Sequence, residues 1–87
     1  MPAEPHCMLI FELSNVATVL PVILQKLRHR GVEVCEQLHL RDGRVILDCR
    51  FDKPDRIYQL VLLVARIDGV LSVERMLSKG ILTNTKL

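Results

Sequence analysis

Two apolar, alternating runs, "VEVCEQLHL" (Val32 to Leu40) and "RVILDCRF" (Arg44 to Phe51), are separated by Arg41, Asp42 and Gly43. Asp-Gly is the dipeptide that most readily takes the positive φ angles of a tight type I′ turn. The two runs are therefore predicted to form an antiparallel hairpin with a two-residue loop. That turn would fix the register, setting Leu40 opposite Val45, Leu38 opposite Leu47, Glu36 opposite Cys49 and Val34 opposite Phe51, all on one face. The other face would carry Cys35, Gln37, His39, Ile46, Asp48 and Arg50. Glu36 is the discordant member, because a lone buried carboxylate is costly. Either a bulge rotates the strand there, or the strand lies at a sheet edge where the side chain escapes.

The rest of the chain supplies the partners for this hairpin. "CMLIFEL" (Cys7 to Leu13) is apolar with one charge, as a central strand covered on both faces would be. Pro21 is tolerated in the first turn of a helix, where its missing N–H had no partner. This predicts Thr18 as N-cap and a helix running to Arg30. It would bury Leu20, Ile23, Leu24 and Leu27 and turn Gln25, Lys26, Arg28 and His29 outward. Gly31 follows as the residue best suited to the C-terminal cap. Pro54 and Asp55 suit a second helix start, Ile57, Leu60, Val61 and Val64 repeat the helical spacing, and Asp68-Gly69 would end it. "VLSVERM" then reads as the last strand, with Leu71 and Val73 turned to the core. The order βαββαβ is the α+β, ferredoxin-like sandwich: four antiparallel strands with two helices on one face. Right-handed crossovers give the order fourth, first, third, second strand, which makes Val32 to Leu40 an edge. The domain is expected over residues 7–77, with Ser78 to Leu87 a tail of weak pattern that is loose or docks on a partner.

Several classes of function are disfavoured. A chain of 87 residues holds one small core. A formal charge of +2, with Phe11, Phe51 and Tyr58 as the only aromatics, gives neither the basic excess nor the stacking platform of a nucleic-acid binder. Cys7, Cys35 and Cys49 are odd in number and lack a C-x-x-C pair, so they read as reduced thiols rather than a disulfide framework or zinc knuckle. With no apolar run of membrane-spanning length and no secretory pattern in "MPAEPHC", the expected location is the cytoplasm, away from membranes. No serine sits in a G-x-S-x-G elbow, the histidines stand apart and the carboxylates are scattered, so catalysis, a metal and a cofactor are not expected. What remains is surplus apolar surface: Leu62 off the core stripe of its helix, Leu63 on the margin, and Met8, Ile10 and Ile46 on the sheet face without helices. Together with Glu36 and the uncovered edge strand, these residues predict association, in the first place a homodimer through Val32 to Leu40.

"FELSNVATVLPVILQKLRHRGVEV" (Phe11 to Val34) resembles the first half of an ACT domain, most closely the small regulatory subunits of acetolactate (acetohydroxyacid) synthase of the short isozyme II type. "LRHRGVEVC" is its most specific part, and "VARIDGVLSVERM" is similar to the family's segment before the last strand. The resemblance covers Met8 to Met76 in pattern and these two stretches in letters. It implies a non-catalytic subunit that binds and activates the large catalytic subunit in branched-chain amino-acid biosynthesis, often carrying feedback inhibition by valine. It also implies an effector site between two copies, formed by Asn15, Val16, Ala17, Thr18 and Val19 of the first loop and by Val34 and Cys35 of the second strand. Here Ala17 and Thr18 replace the family's Pro and Gly, so a Cβ stands where backbone should approach a carboxylate, which argues against tight effector binding. The alternative is a stand-alone ACT-like homodimeric sensor of amino acids that controls another enzyme or a transcription factor.

Overall fold

The computed structural model describes residues 6–51 and 56–77. The chain runs β1 (His6–Leu13), α1 (Val16–His29), β2 (Glu33–His39), β3 (Arg44–Arg50), α2 (Arg56–Ala65) and β4 (Val70–Leu77). The strands pair antiparallel in the order β2-β3-β1-β4, as right-handed crossovers require, and β2 is an edge. Cys7, Leu9, Phe11 and Leu13 of β1 and Val45, Leu47 and Cys49 of β3 form the buried face. Against them lie Val19, Leu20, Ile23 and Leu27 of α1 and Ile57, Leu60 and Val64 of α2. Fully burying a side chain of this size is worth roughly 1.5–3 kcal/mol, so this layer holds the fold together. Leu24 and Val61 only flank it. β1 is covered on one face, not on both, because its burial alternates and Met8 and Ile10 are half-buried.

α1 starts earlier than Pro21 suggests. Asn15, not Thr18, is the N-cap: its Oδ1 accepts from the Ala17 N–H at 3.0 Å, and its carbonyl accepts from the Val19 N–H at 2.9 Å. Pro21 therefore sits inside the helix, past the first turn. The end matches expectation. The Gly31 N–H (φ 77°) donates to Arg28 O and the Val32 N–H to Leu27 O, both at 3.0 Å. These are the two bonds of a Schellman cap, and the buried pair Val32 and Leu27 provides its apolar contact.

The hairpin turns in three residues, not two. Gly43 N–H donates to Leu40 O at 3.0 Å and Leu40 N–H to Arg44 O at 2.8 Å, with Gly43 at φ 94°. This is a type I turn followed by a left-handed residue, and the Asp42 side chain, which accepts the Arg44 N–H at 3.1 Å, supports it. The extra residue slides the register by one, so Leu38 faces Ile46, Gln37 faces Leu47 and His39 faces Val45. Glu36 and Leu38 thus join the open face, while Gln37 and His39 move to the helix side. A bulge at Cys35 then reverses the phase, returning Val34 to a position opposite Cys49 on the helix side. Both escapes foreseen for Glu36, a bulge and an edge, are present.

α2 stops at Ala65, before Asp68-Gly69, which instead form the turn into β4. Pro54 and Asp55, the expected helix start, lie outside the described residues, as does Ser78 to Leu87. β4 carries its own bulge: Leu13 pairs with Val70 and Glu12 with Ser72, which skips Leu71. Leu71 is consequently 63% exposed rather than turned to the core, while Val73 packs beside it. Among the described residues no helix is long and apolar enough to cross a membrane.

Candidate functional site

The first loop, Ser14 and Asn15 leading into Val16 to Val19, is held from both sides. Ser14 N–H donates to Gly69 O at 2.8 Å, tying the loop to the turn before β4. A Cβ on Gly69 would lie 2.5 Å from Val19 Cγ2 and 3.0 Å from Ser14 Oγ, so this close approach demands glycine. The two segments that carry the family resemblance therefore touch here. Of the backbone N–H groups of Val16 to Val19 in the expected effector loop, that of Ala17 is taken by the Asn15 side chain and that of Val19 by the Asn15 carbonyl. Thr18 Oγ1 also turns inward, donating to Asn15 O at 3.4 Å. The loop is a closed helix cap: Asn15 is exposed, yet its acceptor oxygen is already engaged.

The two halves of the expected effector site do not meet within one chain. Asn15 follows Leu13, at one end of the sheet. Val34 pairs with Cys49, which pairs with Cys7, at the other end. Several residues at roughly 3.3 Å each separate the two ends. Val34 lines a cleft of about 340 Å³ between α1 and β2, beside Leu24, Arg28, Val32, Glu33 and Gln37.

The open face gathers most of the expected interface residues. Ile10 lies between Ile46 and Glu74, Leu38 extends this row on β2, and Met8 and Glu36 each pair with Asp48 in the next row. Leu38 is 56% exposed and was missed by the two-residue hairpin; the Arg-Asp-Gly spacing of a three-residue loop was the signal that could have found it. Charges frame this apolar row. Arg50 binds Glu33 through Nη2 at 2.6 Å, His6 Nδ1 lies 3.3 Å from Asp48 Oδ1, and Ser72 donates to Glu12 at 3.4 Å. Leu62, on α2, is 49% exposed, and Leu63 packs partly against the core. Tyr58 and Val22 are also exposed on the helix layer.

The three cysteines are thiols, Cys7 and Cys49 buried and Cys35 exposed at the bulge. Cys7 and Cys49 are direct cross-strand neighbours. Burial, and then the proximity of Cys7, push the Cys49 thiol up to about 12, so it stays protonated and unreactive. Desolvation, followed by the charge of Glu33, also raises Cys35. Among the described residues no group of three or more His, Cys, Asp or Glu side chains is placed to hold a metal ion.

No protein-family model matches the sequence, and a search of curated proteins finds no match. Solved structures do resemble it. The P2 domain of the chemotaxis kinase CheA from Thermotoga maritima, solved in complex with the response regulator CheY, matches with a TM-score of 0.68 at 12% identity, over 86% of this chain and 99% of that one. The ACT domain of GTP pyrophosphokinase from Chlorobium tepidum matches with a TM-score of 0.58 at 17% identity, over 83% and 95%. The C-terminal domain of the MgtC protein from Mycobacterium tuberculosis matches with a TM-score of 0.57 at 16% identity, over 86% and 87%. At these identities the likeness is one of fold: a ferredoxin-like sandwich, shared by an ACT domain and by other small domains.

Proposed function

We propose that this chain is a non-catalytic regulatory subunit of acetolactate synthase, which binds the large catalytic subunit and activates it in branched-chain amino-acid biosynthesis. The observation that carries the reading is "LRHRGVEVC". This segment resembles the isozyme II small subunits in letters and here forms the end of α1, its Gly31 cap and the start of edge strand β2. The ACT-type fold and the contact of the second resembling segment with the first loop, Ser14 to Gly69, support it. So do the apolar residues left uncovered: Leu62 on the helices, and Met8, Ile10, Ile46 and Leu38 on the open face.

Self-association runs through β2 in this reading. An antiparallel pairing of two β2 strands about a two-fold axis would carry the second copy's Val34 toward the His39 end of the first, the end at which Asn15 lies. The effector role is minor, because the first loop spends its Asn15 acceptor and two of its amides on the helix cap. Reconstitution tests the proposal. The purified chain is added to the acetolactate synthase large subunit from the same cell, and activity is assayed with and without valine, leucine and isoleucine. Stimulation that none of the three reverses at micromolar concentration is expected. Absence of both stimulation and co-purification would overturn the reading and leave the stand-alone homodimeric sensor.

A further inference from the structure

The two layers of the sandwich carry opposite charge. α1 and α2 contain no Asp or Glu, and Lys26, Arg28 and Arg56 lie within them, with Arg30 and Arg66 directly after their ends. Every described carboxylate side chain, Glu12, Glu33, Glu36, Asp42, Asp48, Asp68 and Glu74, belongs to a strand or turn. The ion pairs follow the same division. Arg44 with Asp42 and Arg50 with Glu33 sit on the sheet and hairpin, as does the hydrogen bond between His6 Nδ1 and Asp48. Among the described residues, Lys26, Arg28, Arg30, Arg56 and Arg66 form no ion pair. Two clefts share Arg30: one of about 230 Å³ that includes Arg56, Gln59 and Leu63, and one of about 530 Å³ along α1 that includes Val22, Lys26 and His29.

We propose that this helix layer docks an acidic, partly apolar protein surface; resting on the function proposed above, that surface belongs to the catalytic subunit. Lys26, Arg30 and Arg56 line these two clefts with no carboxylate in the lining, and such cations repel one another until a partner supplies the opposite charge. Val22, Tyr58 and Leu62, exposed on the same two helices, add apolar contact area that a protein surface uses and a phosphodiester backbone does not. Arginine is also the charged residue most favoured at the centre of protein interfaces. The β2 edge then remains available for a second copy, so one chain engages two neighbours on separate surfaces.

The test compares wild type, an Arg30→Glu/Arg56→Glu double variant and the hairpin variant Arg41→Glu, each shown to be folded by circular dichroism. Binding is measured to the acetolactate synthase large subunit, to poly-L-glutamate and to a single-stranded oligonucleotide, at about 50 and about 200 mM salt. Wild-type affinity for the large subunit should fall with salt. The double variant should bind at least about tenfold more weakly and Arg41→Glu within about threefold of wild type. A double variant that binds the large subunit as wild type does would overturn the docking face while leaving the proposed function standing. If wild type does not bind the large subunit, the proposed function fails and poly-L-glutamate decides. Binding that the double variant loses keeps an acidic partner for this face, and no binding removes it. Tighter binding to the oligonucleotide than to poly-L-glutamate would overturn a protein partner.

Discussion

Replacing Gly69 with alanine probes the junction on which the first loop depends. The residue sits at φ 97°, a conformation that L side chains rarely adopt, and the new Cβ would lie 2.5 Å from Val19 Cγ2. Val19 cannot yield easily: it is 6% exposed, and its branched side chain is stiff about χ1. Backbone strain of about 1–3 kcal/mol and overpacking of about 1–3 kcal/mol together make a loss on the order of 3 kcal/mol the central expectation. For a domain of this size, that is a fall in Tm of roughly 12–24 °C. Thermal and urea denaturation followed by circular dichroism would measure it. A double-mutant cycle separates the two contributions, because Val19→Ala removes the colliding methyl group and leaves the φ penalty untouched. The cycle should show a favourable coupling of about 1 kcal/mol or more. A Gly69→Ala protein within about 0.5 kcal/mol of wild type would refute the close approach of this turn to the first loop. A coupling near zero would mean that the collision is not with Val19.

Asn15→Ala should cost about 1 kcal/mol in urea melts and Thr18→Ala less than about 0.5 kcal/mol; the reverse order would restore Thr18 as the cap. Leu62→Glu should weaken co-sedimentation with the large catalytic subunit while barely moving the melting point, since the side chain is 49% exposed; co-sedimentation unchanged by the substitution would remove α2 from that docking surface. Cys49 makes stability fall in alkali. Its thiol is raised from 9.0 to about 12 by the fold, so between these values the unfolded chain loses a proton that the native state keeps. The contribution is complete below pH 9 and is lost as pH rises toward 12, with a slope of at most about 1.4 kcal/mol per pH unit. Melting under reducing conditions should show a steeper alkaline decline for wild type than for Cys49→Ala; parallel curves would contradict the burial.

Element order, strand order and the core were legible because each rests on a strong periodic signal. Leu9, Phe11, Val45, Leu47, Ile23, Leu27, Ile57 and Val64 are buried as their two-residue or helical spacing requires. Phase was not legible. The Asp-Gly signal suits both a two-residue turn and the last two positions of a three-residue one, and the choice reverses the faces of Glu36, Leu38 and Gln37. Likewise nothing in "VLSVERM" marks Leu71 as the residue left out of the ladder. At α1, Pro21 misled because helix tolerance for proline depends on what else holds the turn. Asn15, bonded through both its side chain and its carbonyl, sets the start ahead of it. Of the candidate site, the individual residues could be named, and their separation to opposite ends of one chain's sheet follows from the antiparallel strand order; what the sequence did not mark is that Asn15 spends its acceptor on the helix cap.

Both bulges lie on edge strands, Cys35 on β2 and Leu71 on β4, and this bears on how two copies could join. A bulge interrupts the row of outward N–H and C=O groups and so blunts an edge against pairing. On β2 the interruption leaves Glu36 to His39 as the longest regular stretch. An antiparallel pairing of β2 with its copy must therefore centre near Gln37 and Leu38, not on the midpoint of the strand. That centre sets Leu38 of each copy beside the two-fold axis on the open face, continuous with Ile46 and Ile10. The register slip that exposes Leu38 would then supply the apolar contact at the centre of the dimer. Leu38→Lys is accordingly the substitution most damaging to self-association, because it places like charges beside the axis at the cost of no buried residue in the monomer. A Leu38→Lys chain that sediments as wild type does would rule out β2 as the dimer edge.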